Sequence, residues 1–228
     1  MISECGRFMT MPQKLHQELP QGLRRQIVLA SGSQRRLALA LAEGWEVRVV
    51  PPPEAIESSA TPRTAAESLE EYVLRLARTK GQAVADMPDM ADMAMESTII
   101  ACDTLSEVHG TALGKPVDRA DARRMLEMLS GSVHRVLTGV WLWRPERTPH
   151  PPAEAVEESL LEMEPLSESF LEWYLDSGMW LGKAGACGFQ DERLPLRLIE
   201  GSGSNVVGLP LERVRAMLAT LDDTRRQP

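Results

Sequence analysis

Three groups of polar side chains in this 228-residue chain have types and spacings that suit phosphate chemistry. The first is the segment 31–36, in which two serines and two arginines follow an apolar run. The second is Asp103-Thr104, which follows the small and apolar residues 98–101, and the third is Lys115 in a Gly-Lys-Pro sequence. A carboxylate can bind a metal ion or activate water, and cationic side chains can hold phosphate oxygens. Together these residue types would suit hydrolysis of a phosphoanhydride.

The segments around these groups predict elements that would bring them together. Residues 26–30 and 98–101 have the composition of buried strands, and the second strand is predicted to end at Asp103, at the end where α/β proteins usually bind ligands. A helix is predicted directly after residues 31–36, so its free N–H groups and its dipole would attract an anion. The segment 31–36 also fits a capped helix with solvated arginines, and Asp103-Thr104 also fits a turn or a cap.

The rest of the chain predicts a mixed α/β fold. Further strands are predicted at 47–50, 133–143, 155–163 and 194–199, and helices at 64–86, 119–129, 168–176 and 209–221. Stretches rich in proline or glycine predict loops at 51–59, 144–152, 178–190 and 201–205. Residues 1–24 show no clear period and are expected to form a poorly ordered extension. Residues 25–222 are predicted to form a single domain, followed by a short tail at 223–228.

The composition narrows the class of protein. Hydrophobic residues make up 43% of the chain, which is enough for a sizeable core. The formal net charge of −8 argues against a non-specific nucleic-acid-binding protein. The three cysteines are widely spaced, and the sequence shows neither an apolar stretch of about 18 residues nor an apolar signal core at its start. We therefore expect a cytoplasmic protein that binds neither nucleic acid nor membrane.

Seven short blocks, taken in order, resemble the Maf family of nucleoside triphosphate pyrophosphatases, which are also described as septum formation inhibitors. The blocks are ASGSQRR (30–36), YVLRLARTK (72–80), CDT (102–104), LGKP (113–116), LSG (129–131) with His134, KAG (183–185) with Gln190, and NVVGLP (205–210). They extend over residues 27–221. The resemblance implies the elongated, two-lobed fold of inosine triphosphate pyrophosphatases, with a nucleotide cleft between the lobes. It also implies a homodimer.

The resemblance implies an enzyme that cuts a nucleoside triphosphate between its α and β phosphates, giving a nucleoside monophosphate and pyrophosphate. Asp103 would accept the proton of the attacking water or bind the metal. The residues that would hold the triphosphate are Ser31, Ser33, Arg36, Lys80 and Lys115. A divalent cation, Mg²⁺ or Mn²⁺, would be bound by Asp103 together with a loop glutamate, for which we choose Glu57 with Glu54 as the alternative.

Three positions in the family relate to the choice of base. The branch that acts on dTTP and UTP carries Arg, Thr and Gln, which match Arg35, Thr104 and Gln190. A Gln amide can pair with both the carbonyl and the N–H of a uracil or thymine edge. The resemblance therefore favours dTTP and UTP as substrates. The alternatives are a pyrophosphatase for 7-methyl-GTP or another modified nucleotide, and a nucleotide-binding regulator of septum formation without turnover.

Overall fold

The computed structural model describes residues 25–58, 62–88, 90, 97–145 and 151–224, so the predicted extension at 1–24 lies outside it. The described residues form a seven-stranded mixed sheet with helices on both faces, which confirms the predicted α/β class. The strands are β1 (Gln26–Leu29), β2 (Glu46–Val49), β3 (Thr98–Val108), β4 (Thr111–Leu113), β5 (Val133–Trp143), β6 (Ala153–Met163) and β7 (Leu196–Glu200). Their order is β2-β1-β3-β5-β6-β7, and β4 pairs with β3.

Helices cover both faces of the sheet, and most begin at a capping side chain. They are α1 (Gln34–Ala42), α2 (Glu54–Ser58), α3 (Leu69–Ala85), α4 (Arg119–Leu129), α5 (Glu168–Asp176), α6 (Gly203–Val207) and α7 (Leu211–Thr224), with a 3₁₀ turn at Ala184–Ala186. The side chains of Ser33, Ser68, Asp118, Ser167 and Ser202 each accept a hydrogen bond from a backbone N–H in the first turn. In the described part of the chain, no helix is both long and apolar enough to cross a membrane.

Two segments that were predicted as loops contain short helices instead, α2 and α6. The three prolines before α2 fix φ near the helical value, and the Pro53 carbonyl accepts from the Ile56 N–H at 2.8 Å. Ser202 caps α6, and Gly208 ends it in the left-handed conformation with φ 107°. Helices of five residues are too short to show a 3.6-residue period, so sequence periodicity could not reveal them.

The prediction that the strand after Ser97 ends at Asp103 is wrong. β3 continues to Val108, because β5 pairs with it in antiparallel register along nearly its whole length. On its other edge, β3 pairs with parallel β1 only at residues 98–100, and with β4 only from Ser106 onward. Asp103 therefore lies in the middle of a strand but beyond the carboxyl end of β1. It occupies a stretch of edge that neither β1 nor β4 covers.

The hydrophobic core is divided along the long strands, which confirms the two-lobed expectation. One lobe packs β1, α1, α3 and α7 around the first half of β3, with buried side chains such as Ile27, Ile100 and Trp141. The other packs α4, α5 and the 3₁₀ turn around the far end of β3 and β4, with buried Leu126 and Tyr174. The uncovered stretch of β3 lies between these two cores.

The two faces of the β3–β5 region are covered by different helices. On one face, Ala101 and Trp141 pack against Ala77 of α3. On the opposite face, Cys102 and Val140 belong to the core that contains α1 and α7. Because side chains alternate along a strand, Asp103 belongs to the face of α3 and Thr104 to the opposite face.

Candidate active site

A cavity of about 500 Å³ opens at the uncovered stretch of the β3 edge. Its walls come from the turn before α1, the middle of β3, the end of β4, residues 182–190 and the end of α6. All predicted site residues apart from Glu57 line it: Ser31, Ser33, Arg35, Arg36, Lys80, Asp103, Thr104, Lys115 and Gln190. These residues come from five separate segments of the chain, which meet in one cavity.

Asp103 and Lys80 form a close ion pair in this cavity. The Lys80 ammonium donates to Oδ1 of Asp103, and each side chain is only 15% exposed. Lys80 reaches the carboxylate because α3 lies very close to the sheet. A Cβ atom on Gly81 would come within 2.2 Å of the Trp141 ring, so only glycine allows this approach. The pair therefore places an oriented carboxylate and a cation side by side at the cavity wall.

The turn before α1 forms one wall of the cavity. Ser33 caps the helix by accepting from the Arg36 N–H at 3.4 Å, and its own N–H donates to Oγ of Ser31 at 3.2 Å. The first turn of the helix therefore lies at the cavity wall, where its dipole favours negative charge. The capped-helix interpretation of this segment and the phosphate-binding interpretation are thus compatible.

The guanidinium of Arg36 connects three parts of the fold. Its Nε donates to the Gly208 carbonyl at 2.7 Å, while Nη1 donates to Oγ of Ser31 at 3.2 Å and Nη2 to Oγ1 of Thr104 at 3.0 Å. A Cβ on Gly208 would lie 2.9 Å from Thr104 and 3.0 Å from Arg36, so this junction also requires glycine. Arg36 therefore fixes the shape of the cavity in addition to carrying charge into it.

A buried hydrogen-bond network continues from Thr104 beneath the cavity. Oγ1 of Thr104 lies 2.9 Å from Oγ1 of Thr138, which donates to the backbone carbonyl of Asn205 at 3.1 Å. Nδ2 of Asn205 donates to Oγ of Ser159 at 2.9 Å and to the carbonyl of Val136 at 3.2 Å. Sequence reasoning did not identify Thr138, because its pairing with Thr104 depends on the register of two distant strands.

The segment 182–190 forms another wall of the cavity, and an ion pair between Lys183 and Asp191 stabilises it. Lys183 donates to Oδ1 of Asp191 at 2.6 Å, and the Tyr174 hydroxyl donates to the same carboxylate. Burial, and then this contact, raise the pKa of Tyr174. These contacts hold the chain next to Gln190. Arg35 reaches this wall from α1, with Nη2 3.2 Å from the Gly182 carbonyl.

Charge and burial shape the ionisation of the groups near this wall. Burial lowers the pKa of Arg35, neighbouring Arg36 adds to this effect, and Asp191 opposes it. Burial raises the pKa of the Cys187 thiol to about 12, so this lining residue is an uncharged thiol at neutral pH. Cys102, next to Asp103, is also buried, and burial raises its pKa to about 11. The cavity therefore contains no thiolate nucleophile at neutral pH among the described residues.

Lys115 and His134 line other parts of the wall. Lys115 directly follows Gly114, whose carbonyl accepts from the Gly185 N–H at 3.0 Å, so the 3₁₀ turn supports the loop that carries the lysine. His134 of β5 is only 2% exposed, and its burial lowers its pKa to about 4. His134 belongs to one of the blocks that resemble the Maf family, and the structure places it at the cavity wall.

The donor set bears on the expected divalent cation. Within the described part of the chain, Asp103 is the one carboxylate that lines the cavity, and no three His, Cys, Asp or Glu residues cluster as metal ligands. Mg²⁺ commonly uses one or two protein carboxylates together with substrate phosphates and water, so this set fits such an ion. Glu54 and Glu57 lie on α2. The Glu57 side chain is outside the described part, so its role stays a prediction.

Comparison with known proteins finds relatives that cover most of this chain. The "dTTP/UTP pyrophosphatase" of Rhodopirellula baltica is 40% identical over 197 residues, covering 86% of this chain and 82% of that protein. The "dTTP/UTP pyrophosphatase" of Symbiobacterium thermophilum is also 40% identical, covering 85% of this chain and 93% of that protein.

A solved structure of a HAM1 protein from Coxiella burnetii aligns with 86% of this chain and 99% of its own at 18% identity, but its TM-score of 0.42 is too low to support a conclusion. The family model described as Maf-like protein matches residues 26–221. On the strength of this match and of relatives 40% identical over most of its length, the chain belongs to the Maf-like protein family.

Proposed function

We propose that this chain hydrolyses dTTP and UTP between the α and β phosphates, releasing a nucleoside monophosphate and pyrophosphate. One observation carries the proposal: a single cavity brings together the Asp103–Lys80 pair, the turn before α1, Lys115 and Gln190. The relatives named dTTP/UTP pyrophosphatase support the same substrates.

The charges in the cavity suit attack of water on a phosphoanhydride. Under this proposal Asp103 accepts the proton of the attacking water, and Lys80 holds the carboxylate in position. The attacked phosphorus is surrounded by negative oxygens, so cations must offset charge as the transition state forms. Lys80, Lys115, Arg36, Ser31 and Ser33, with the first turn of α1, are the groups placed to do this.

The choice of base would depend on Arg35, Thr104 and Gln190, which all line the cavity. Gln190 can offer its amide N–H and carbonyl to a uracil or thymine edge. The Thr104 hydroxyl already contacts Arg36 and Thr138. We therefore infer that Thr104 affects the choice of base mainly by fixing Arg36 and the adjoining cavity wall.

The proposal includes a divalent cation, Mg²⁺ or Mn²⁺, held by Asp103 and by Glu57, with Glu54 as the alternative to Glu57. When bound, such an ion would offset phosphate charge as a Lewis acid. A nucleotide would supply the remaining oxygen ligands, which agrees with a cavity that has one described carboxylate.

The homodimer, the cytoplasmic location and the absence of nucleic-acid or membrane partners also stay predictions. Size-exclusion chromatography with light scattering tests the first of them. A mass of twice the single chain is expected, and the mass of one chain at micromolar concentration would contradict it.

The experiment that tests the function is pyrophosphate release from a panel containing dTTP, UTP, CTP, GTP and 7-methyl-GTP, with Mg²⁺ or Mn²⁺ and with EDTA as the control. Release that requires metal and is fastest with dTTP and UTP is expected. Fastest release from 7-methyl-GTP would replace the substrate assignment with the modified-nucleotide alternative. Binding of nucleotide without release from any member of the panel would favour the regulator alternative.

A further inference from the structure

His134 lies on the face of the sheet opposite the Asp103–Lys80 pair. Asp103 lies on the same face of the sheet as Ala101, which packs against α3. The alternate residues of β3 and β5, such as Val140, lie on the opposite face and pack toward α1 and α7. His134 lies six residues before Val140 on β5, and side chains an even number of residues apart on a strand share a face. The side chain of His134 therefore lies on this second face. The cavity reaches both faces because the edge of β3 between β1 and β4 is uncovered.

A row of side chains runs along this second face, from a polar end to an apolar end. At the polar end, Thr138 pairs with Thr104, which contacts Arg36. Val136 is the next residue of β5 on this face, and His134 is the one after it. His134 therefore lies four residues from Thr138, which corresponds to about 13 Å along a strand. Around His134 the cavity is lined by apolar side chains: Val136, Leu161 and Leu196. The guanidinium of Arg36 lies at the other end, where it donates to Thr104.

The imidazole of His134 carries a polar atom without a hydrogen-bond partner in the described part of the chain. Its Nδ1 is buried and makes no hydrogen bond, and no side chain among the described residues hydrogen-bonds to the ring. A buried polar atom without a partner destabilises the folded state, so such atoms are rare unless a ligand or another function requires them. Because Nδ1 is enclosed by protein while the ring lines the cavity, a ligand can meet this ring through Nε2.

We propose that His134 hydrogen-bonds through Nε2 to the pyrimidine base of the substrate, and that the apolar end of the cavity is the base subsite. This inference rests on the proposed function and extends it. A flat, largely uncharged base fits apolar side chains, whereas the triphosphate needs the cationic end. His134 then acts together with Gln190, which also lines the cavity, in selecting the base.

The ionisation of His134 agrees with contact to a base. Burial lowers its pKa to about 4, although the Ser132 backbone and Glu107 favour the charged form. The ring is therefore neutral at pH 7 and adds no attraction for phosphate. A neutral imidazole has one donor and one acceptor nitrogen, and a uracil or thymine edge offers both carbonyls and an N–H. Either tautomer can therefore make the contact.

The test uses two ligands that differ in whether they carry a base. The first is the α,β-methylene analogue of UTP, whose bridge between the α and β phosphates cannot be hydrolysed. The second is inorganic triphosphate. Their dissociation constants are measured by calorimetry with Mg²⁺ for the full-length chain and for the His134→Leu and His134→Gln variants. Leucine has a similar volume without a hydrogen-bonding group, and glutamine keeps an amide near the position of Nε2.

The His134→Leu variant is expected to bind the UTP analogue about tenfold more weakly, as for the loss of one hydrogen bond, and inorganic triphosphate within twofold of the unmodified chain. The His134→Gln variant should recover part of the loss. Equal weakening for both ligands, or unchanged binding of the analogue, would overturn the proposal. Thermal unfolding of each variant verifies folding. Pyrophosphate release by the unmodified chain is measured separately, so a failure of the proposed function is distinguished from a failure of this inference.

Discussion

Gly139 faces Asp103 directly across the β3–β5 ladder, and the backbone of α3 occupies the space beside it. A Cβ atom at this glycine would lie 2.5 Å from the Val73 carbonyl oxygen and 2.8 Å from Cα of Leu74. Backbone atoms cannot rotate away as a flexible side chain can. The close packing of α3, which brings Lys80 to Asp103, therefore depends on the absence of a side chain at Gly139.

A Gly139→Ala substitution is expected to lower the free energy of unfolding by about 1–3 kcal/mol, because α3 must move outward to admit the methyl group. It should also reduce pyrophosphate release, since the shift separates Lys80 from Asp103. Urea denaturation and the release assay measure the two effects. Gly114→Ala is the matched control, since its Cβ would meet no atom within 4 Å, and it should change stability by less than about 0.5 kcal/mol. Unchanged stability of Gly139→Ala would refute the packing argument.

Asp103→Asn is expected to lower the turnover of dTTP and UTP by about 10²–10⁴-fold, because the amide keeps the shape of the side chain but cannot accept a proton. Circular dichroism should show the fold retained. The control is Asp176→Asn, which makes the same change on a side chain that is 71% exposed, and it should leave turnover near that of the unmodified chain. Normal turnover by Asp103→Asn would remove this residue from the proposed chemistry.

Thr104→Val replaces the hydroxyl that lies between Arg36 and Thr138 with a methyl group of similar size. Both partners lose a hydrogen bond within a partly buried network, so the free energy of unfolding should fall by about 1–3 kcal/mol. The preference for UTP over CTP should also weaken, since the cavity wall that Thr104 holds together with Arg36 and Thr138 is less fixed. Thr104→Ser keeps the oxygen and should stay close to the unmodified chain in both measurements. A Val variant that behaves like the unmodified chain, or a Ser variant as impaired as the Val variant, would contradict the role given to the hydroxyl.

Elements with a strong local pattern could be predicted from the sequence. β5 was predicted with the observed bounds, because an apolar run on both faces is preceded by a Ser-Gly turn and followed by prolines. The helix α4 was also predicted correctly, from the cap at Asp118 and from apolar positions three and four apart. In both cases nearby residues determine the structure.

Features that depend on pairing between distant segments could not be predicted. The change from apolar to polar residues at Asp103 suggested the end of a strand, whereas β3 continues because β5 holds its other edge. The same change marks the point where β1 stops covering β3, so the polar residues identified the site but not its place in the strand. The roles of Thr138 and His134 likewise follow from strand register.

The ionisation of His134 predicts how stability depends on pH. Its pKa is about 4 in the folded chain, below its ordinary value of 6.5, because burial disfavours the charged form. Between pH 4 and pH 6.5, His134 therefore binds a proton more tightly in the unfolded chain than in the folded chain. The contribution of the neutral ring to stability is fully present above pH 6.5 and is lost as pH falls toward 4, where the loss reaches about 3 kcal/mol.

Urea denaturation at pH 7 and pH 4.5 measures this contribution when the unmodified chain is compared with His134→Leu. Between the two pH values the unmodified chain should lose about 2–3 kcal/mol more stability than the variant, since leucine does not titrate. At pH 7 the variant should be about as stable as the unmodified chain, or more so, because it no longer buries Nδ1 without a partner. Identical losses on acidification would mean that the pKa of His134 is the same in the folded and the unfolded chain, which would contradict the burial of an uncharged ring at this position.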